Sequence, residues 1–202
     1  MTTIRKPEYG RRLDDFELGA VYAHPWDVTV DDGMIALFAA SFQDATPTYA
    51  SRAAAEALGF SGRPVHPLLL LNLGLSFSVH DVSEQAIAHL AYIDVRFPEA
   101  CYPGDTLTAS SKVLGKKPSS KGDRGVVEVR TLVENQRGEV VCRFDRKALV
   151  RAGSVRERPA SPWPGATQRD PGEHFLPPPL RNGVAPPRRQ AGFSGLFEDY
   201  AV

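Results

Sequence analysis

The sequence predicts an α+β domain in which an antiparallel sheet wraps around one long buried helix. Three observations lead there. Residues 64–79 carry Leu68, Leu69, Leu70, Leu71, Leu73, Leu75 and Phe77, so apolar side chains point in nearly every direction, as in a helix enclosed by the rest of its domain. Four segments rich in β-branched residues then follow in a row, with turn residues such as Gln136-Arg137-Gly138 between them. No helical stretch separates these segments, which argues for an antiparallel meander and against β-α-β units.

Taken in order, residues 21–30 read as a first strand. Asp31 and Asp32 offer an N-cap for a short helix over 33–41, because an aspartate oxygen can accept from the free N–H groups of a first turn. Ser51 can cap a second helix over 52–58, which Gly59 ends. The apolar helix occupies 64–79. Strands are expected at 86–97, 106–114, 125–135 and 139–150, giving a sheet of about five.

The composition narrows the function classes. Lys plus Arg and Asp plus Glu are both 24, for a formal charge of zero, so nothing steers the chain toward nucleic acid or an anionic membrane. Cys101 and Cys142 form no CxxC pair, and no His/Cys cluster has zinc spacing. Both are read as small buried thiols in strands. The opening stretch, Met1 to Arg12, is polar and lacks an apolar leader. The most apolar run, 65–75, falls short of the ~20 residues that span a bilayer. The cytoplasm is the expected location.

Two parts of the chain differ in kind. Residues 1–151 hold 8 of the 17 prolines, and 159–187 hold the other 9 with little apolar content. Such a segment buries too little to offset its ordering entropy. The expected organisation is a folded domain over 1–151, a Pro-rich linker over 152–195, and the start of a second repeat over 196–202. That last reading rests on Phe197-Glu198-Asp199-Tyr200 echoing Leu13-Asp14-Asp15-Phe16.

Three motifs add a resemblance. The first is Gly10-Arg11-Arg12-Leu13-Asp14-Asp15-Phe16-Glu17-Leu18-Gly19. The second is Asp44-Ala45-Thr46-Pro47-Thr48-Tyr49 with Gly62-Arg63-Pro64-Val65-His66. The third is the turn Tyr102-Pro103-Gly104-Asp105-Thr106-Leu107. In this order and spacing they resemble the MaoC-like hot-dog hydratase/dehydratase family. The match is closer still to the amino-terminal half of its two-domain mesaconyl-CoA hydratase (β-methylmalyl-CoA dehydratase) group. The resemblance covers about residues 9–151. It implies a hot-dog fold, a coenzyme A thioester as substrate, no further cofactor or metal, and pairing of two hot-dog domains.

The chemistry implied is addition of water to an enoyl thioester. In the family an aspartate and a histidine five residues later hold the water and move protons, and N–H groups at the helix entrance polarise the carbonyl. Here the aspartate position is Asp44, but the histidine position holds Tyr49 and the motif's asparagine is Thr46. A phenol, with a reference pKa near ~10, is a weak base at neutral pH. Asp44 therefore reads as readily as a loop or cap residue, with Pro47 setting a turn. His66, at the start of the apolar helix, is either a replacement base or a hydrogen-bonded histidine at a helix N-terminus.

Candidate catalytic residues are thus Asp44, Tyr49 and His66, and candidate substrate-binding residues are Pro64, Val65, Lys116 and Lys117. The lysines belong to the group Lys112, Lys116, Lys117, Lys121 and Arg124 around an expected hairpin, which could meet coenzyme A phosphates or simply face solvent. Asp105 reads as a turn residue. His24, His80, His89 and His174 show no partner pattern. Three functions fit. The chain is the scaffold and groove half of a hydro-lyase on a short enoyl-CoA such as mesaconyl-CoA, or an acyl-CoA-binding or assembly module serving a separate catalytic subunit, or a self-sufficient hydratase using Asp44 and His66. The first carries the expectation of little hydratase activity in this chain alone.

Overall fold

The computed structural model describes residues 10–154 of the 202. Most of the 152–195 stretch and all of 196–202 lie outside the described residues.

Among the described residues, six strands and four α-helices follow one another as β1 (Val21–Ala23), β2 (Val28–Thr29), α1 (Asp32–Phe42), α2 (Pro47–Ala50), α3 (Arg52–Ala57), α4 (Pro67–Ser78), β3 (Ala86–Arg96), β4 (Thr106–Pro118), β5 (Arg124–Glu134) and β6 (Val140–Arg151). The sheet runs β1-β4-β5-β6-β3, with β2 on β4, and every pairing is antiparallel. This is the hot-dog arrangement, with α4 against the concave face of β4, β5 and β6.

The expected first strand is two strands. Pro25 follows His24 and has no N–H for a ladder, so pairing with β4 stops at Ala23↔Ser110 and resumes at Val28↔Leu107. Helix α1 starts as expected, with Asp31 accepting from the Met34 N–H at 2.7 Å. Ser51 caps α3, accepting from the Ala54 N–H. The turn expected at Pro47 is a short helix, α2, with Pro47 at its first position, where a fixed φ and a missing N–H are tolerated.

Helix α4 is not enclosed all round. It buries Leu69, Leu70, Gly74, Phe77 and Ser78, while Leu68 is 53% exposed. The apolar repeat is wider than the sheet can cover. Gly74 sets the depth of packing: a Cβ there would stand 2.5 Å from Val133 Cγ2 and 3.0 Å from Phe144 Cε1. One core cluster joins Val30, Ile35, Val65, Leu70, Phe77, Leu107, Val133 and Phe144 around α4, and a second joins Leu13, Phe16, Tyr22, Val113 and Val129. At the far end of α4 the fully buried Arg146 donates to Ser78 Oγ at 2.9 Å, placing a cation where the helix dipole is negative. Cys142 lies in β6 and is buried. Cys101 is also buried but sits in the loop before β4, where its carbonyl accepts from the Val65 N–H, rather than in a strand.

Among the described residues β3 pairs with β6 alone. The strand carries Ile87, Leu90, Tyr92 and Val95, each at least 36% exposed. Among the described residues no helix is long and apolar enough to cross a membrane.

Candidate active site

Asp44, Tyr49 and His66 come together because α1 ends just where α4 begins. Gln43 closes α1 in the left-handed region, with φ 52°. This reversal sends Asp44 out of the helix direction toward the N-terminus of α4. Asp44 Oδ1 accepts from the Thr46 N–H at 2.9 Å and the Thr46 hydroxyl at 2.6 Å. Its Oδ2 lies 3.0 Å from His66 Nε2. The Thr46 hydroxyl and N–H, then His66, hold the Asp44 carboxyl below the usual carboxylate range. The reading of Asp44 as a loop residue and the reading of it as a site residue therefore describe the same side chain. It builds the turn with one oxygen and meets His66 with the other.

His66 is the N-cap of α4. Its Nδ1 accepts from the Leu68 N–H at 3.1 Å, and Pro67 at the first helical position supplies a preset φ. With Nδ1 accepting, the ring proton resides on Nε2 and points to Asp44. Burial lowers the pKa of His66 and Asp44 partly opposes this, so the ring is neutral at pH 7. Both nitrogens are engaged. Tyr49 packs on the same ring, centroids 4.5 Å apart, and Phe38 packs at 5.0 Å. Burial, and then Asp44, push the Tyr49 phenol above its usual value, keeping it a hydrogen-bond donor.

Beside this trio is a cavity of about 190 Å³ whose wall includes Tyr49, Phe60, Pro64, Val65, Phe97 and Glu99. Two of the expected substrate-binding residues, Pro64 and Val65, thus lie on it, together with Tyr49, to which the motif resemblance gives the family's histidine position. Asp44 and His66 are not among its lining residues. Cys101 also lines it, but burial pushes the thiol up to about 12, leaving it protonated. Phe60, Phe97 and Glu99 were not anticipated. They come from two loops far apart in the sequence, one before α4 and one after β3, and no spacing rule links them. A second hollow, of about 470 Å³, shares Phe60 and Glu99 and adds Arg137 and Glu139.

Lys116 and Lys117 are not brought to this cavity. They pair with Val127 and Val126, and Lys116 Nζ donates to the Leu13 carbonyl at 3.4 Å. Lys116 stands nine residues beyond Leu107 on the same strand, about 30 Å at the usual rise. Asp105 is a turn residue as expected. Its carboxylate accepts from the Tyr102 N–H at 3.0 Å and from Arg137 at 2.8 Å, tying two turns together.

The reading of His24 as a histidine without a partner is corrected. His24 is buried, with Nδ1 2.8 Å from Asp81 Oδ2 and Nε2 2.8 Å from Ser111 Oγ, which in turn meets Thr131 Oγ1 at 2.8 Å. Arg11 donates to Asp81 Oδ1 at 2.6 Å. The order Asp-His-Ser matches that of a hydrolytic triad, but Ser111 is fully buried, so no substrate reaches its hydroxyl. The chain of bonds fastens the opening motif to the π-helical turn Val79–Ser83 behind α4. Two other histidines also have partners: His80 contacts Glu84 at 2.8 Å and His89 packs on Tyr92. His174 lies outside the described residues.

Comparison with known proteins agrees with this fold. The mesaconyl-CoA hydratase family profile matches residues 2–173. The chain is 37% identical over 162 residues to a mesaconyl-CoA hydratase of Cereibacter sphaeroides, covering 80% of this chain and 46% of the relative. It is 31% identical over 202 residues to a β-methylmalyl-CoA dehydratase of Chloroflexus aurantiacus, covering 98% of this chain and 56% of the relative. The solved structure of a MaoC-domain dehydratase from the same organism superposes with a TM-score of 0.70 at 32% identity, over 84% of this chain and 46% of that one. The chain spans about half the length of these relatives. By its profile, its relatives and its hot-dog architecture, the chain belongs to the mesaconyl-CoA hydratase family of MaoC-like proteins.

Proposed function

We propose that this domain binds the acyl portion of a short-chain enoyl-CoA and supplies the scaffold and part of the groove for a hydro-lyase, with the proton transfers carried by a second hot-dog domain. One observation carries this reading. The cavity wall presents Tyr49 where the family has a histidine, and the nearby His66 has both ring nitrogens engaged, with Leu68 N–H and Asp44. A general base needs a free lone pair within reach of water, and neither nitrogen offers one without giving up a partner. Tyr49 can donate a hydrogen bond to a thioester carbonyl. The chemistry is acid–base addition of water and calls for no cofactor beyond the coenzyme A of the substrate.

Pairing follows from the edge of the sheet. An exposed, apolar edge strand is a liability unless covered. A second hot dog, either another copy or another domain of a longer chain, would cover β3 in a two-fold arrangement. A binding or assembly module that serves a separate catalytic subunit would use the same surfaces. The self-sufficient hydratase has one observation in its favour, the 3.0 Å contact between Asp44 and His66.

Hydration assays with crotonyl-CoA and mesaconyl-CoA separate these readings. The chain alone should show little turnover, because one acid–base group typically contributes 10²–10⁴-fold. If Tyr49→His raises a weak activity and Asp44→Ala removes it, the site is positioned as in the family but disabled. An ordinary enzymatic rate abolished by His66→Ala would overturn the scaffold reading in favour of the self-sufficient enzyme.

A further inference from the structure

We infer that the hollow formed by Arg52, Arg63 and the Tyr102 hydroxyl holds the diphosphate of coenzyme A while the acyl end lies in the neighbouring cavity beside Tyr49. The inference rests on the proposal that this domain binds acyl-CoA, and it names the residues that meet the carrier rather than the acyl group.

The two spaces share their walls. The segment from Phe60 to Val65 runs between them: Phe60, Pro64 and Val65 line the cavity, whereas Ser61, Gly62 and Arg63 line a hollow of about 320 Å³. The loop after β3 divides in the same way, with Cys101 on the cavity and Tyr102 on the hollow. Two hydrogen bonds tie these segments together. The Val65 N–H donates to the Cys101 carbonyl at 2.8 Å, and the Ser61 N–H donates to the Tyr102 hydroxyl at 3.3 Å. The Cα atoms of Arg63 and Val65, two residues apart, are separated by at most about 7 Å. A thioester held against Val65 therefore needs only a bent pantetheine arm to bring its diphosphate to Arg63.

The donors of the hollow suit a phosphate. Both arginines come to one spot: a Cβ on Gly62 would lie 3.6 Å from Arg52 Nη1, and Arg63 is the next residue. A guanidinium is a planar fork that matches two phosphate oxygens at once. Arg52 meets Glu56 at 3.7 Å, one helical turn on, with both side chains more than half exposed, and such a pair contributes little. Arg63 donates to Asp32 Oδ1 at 2.5 Å, and the rest of its fork has no acceptor among the described residues. The Tyr102 hydroxyl accepts from Ser61 and keeps its own proton to donate. Asp32 is the one carboxylate among the described residues lining the hollow. It is 70% exposed, so solvent screens its repulsion, and two cations stand against it. Lys116 and Lys117, remote on β4, leave these arginines as the cations on the shared wall.

The test uses thioesters that have no double bond to hydrate. Butyryl-CoA and succinyl-CoA supply an apolar and a carboxylated acyl group, and each is compared with the same acyl group on pantetheine, which lacks the diphosphate. Binding to the purified chain is measured by calorimetry. At least one CoA thioester should bind about tenfold or more tightly than its pantetheine counterpart, as charge-assisted hydrogen bonds require, and the advantage should shrink as salt rises. Arg63→Gln should cut that advantage by about fivefold or more and leave the pantetheine thioester within about twofold. Arg52→Gln, at an exposed helix position, should cut it by about threefold and decides the matter if circular dichroism shows that the Arg63 variant does not fold. Dephospho-CoA thioesters, which lack only the 3′-phosphate, should keep the advantage. An advantage that neither variant reduces, or one that disappears with the 3′-phosphate, overturns the inference and leaves the acyl-binding reading standing. If no acyl thioester binds more tightly than its free thiol carrier, both fall together.

Discussion

Replacing Asp81 by asparagine should remove a large fraction of the domain's stability and flatten its response to acid. Burial alone would raise the Asp81 carboxyl, but hydrogen bonds and charge from His24 and Arg11 outweigh it, and the group is held down from 3.8 to about 2. At about 1.4 kcal/mol per pH unit, that difference is linked to about 2 kcal/mol of folding free energy. A carboxyl with a lowered folded-state value stabilises above its unfolded value. This contribution is therefore complete above pH ~4 and is lost as pH falls toward 2. The side chains of Arg11 and His24 are 10% and 0% exposed, so removing their partner also leaves buried polar groups uncompensated. Together these give an expected loss of about 2–4 kcal/mol at pH 7, out of the ~5–15 kcal/mol typical of a domain. Urea unfolding at a series of pH values measures both effects. The parent should lose about 2 kcal/mol more than the variant between pH 4.5 and 2. A loss at pH 7 no larger than the ~0.5 kcal/mol of an ordinary surface substitution, or superimposable acid limbs, would refute the reasoning.

Three further outcomes are expected. Gly74→Ala should destabilise by about 1–2 kcal/mol in denaturant titration, because crowding of Val133 and Phe144 exceeds the ~1 kcal/mol gain in helix propensity; a variant as stable as the parent would contradict the packing described. The His66 ring should titrate below the ordinary 6.5 in a histidine-resolved NMR pH series, since burial lowers it. Unfolded chains bind that proton first, so its contribution to stability holds above pH ~6.5 and declines as pH falls through the folded value. Leu90→Lys, at a position 48% exposed on β3, should shift the chain toward monomer in sedimentation without unfolding it; an unchanged association state would exclude β3 as the seam.

Much of the fold could be read from the sequence because its signals are local. Ser51 and Asp31 announced their helices through capping chemistry, and the β-branched runs placed β3 to β6 within a few residues, though β4 runs on past Leu114 to Pro118. What failed was non-local. The run Leu68 to Leu75 says that α4 is apolar, not how much of it one sheet can cover. The site was half legible. Asp44, Tyr49 and His66 were singled out by motif position, and they do converge. That His66 uses Nδ1 to cap its own helix and Nε2 to meet Asp44 depends on the angle between α1 and α4, which no motif encodes. The Asp81-His24-Ser111-Thr131 chain was invisible for the same reason: its members come from four separate stretches of the sequence and meet only once β1, β4 and β5 are in register.

The open side of β3 bears on how such a chain is made. A ribosome delivers residues at roughly 5–20 per second, and domains generally fold as units, amino-terminal first. The strand Ala86–Arg96 can reach its native partner β6 only after Arg151 has emerged. A second hot dog, if it covers the outer edge as proposed above, pairs later still. During that interval neighbouring nascent chains on the same message are the nearest strands of matching pattern. Spacing between ribosomes and the reach of holdase chaperones would then decide how much of the product escapes misassembly, and expression temperature becomes a lever on yield even where the finished protein is stable.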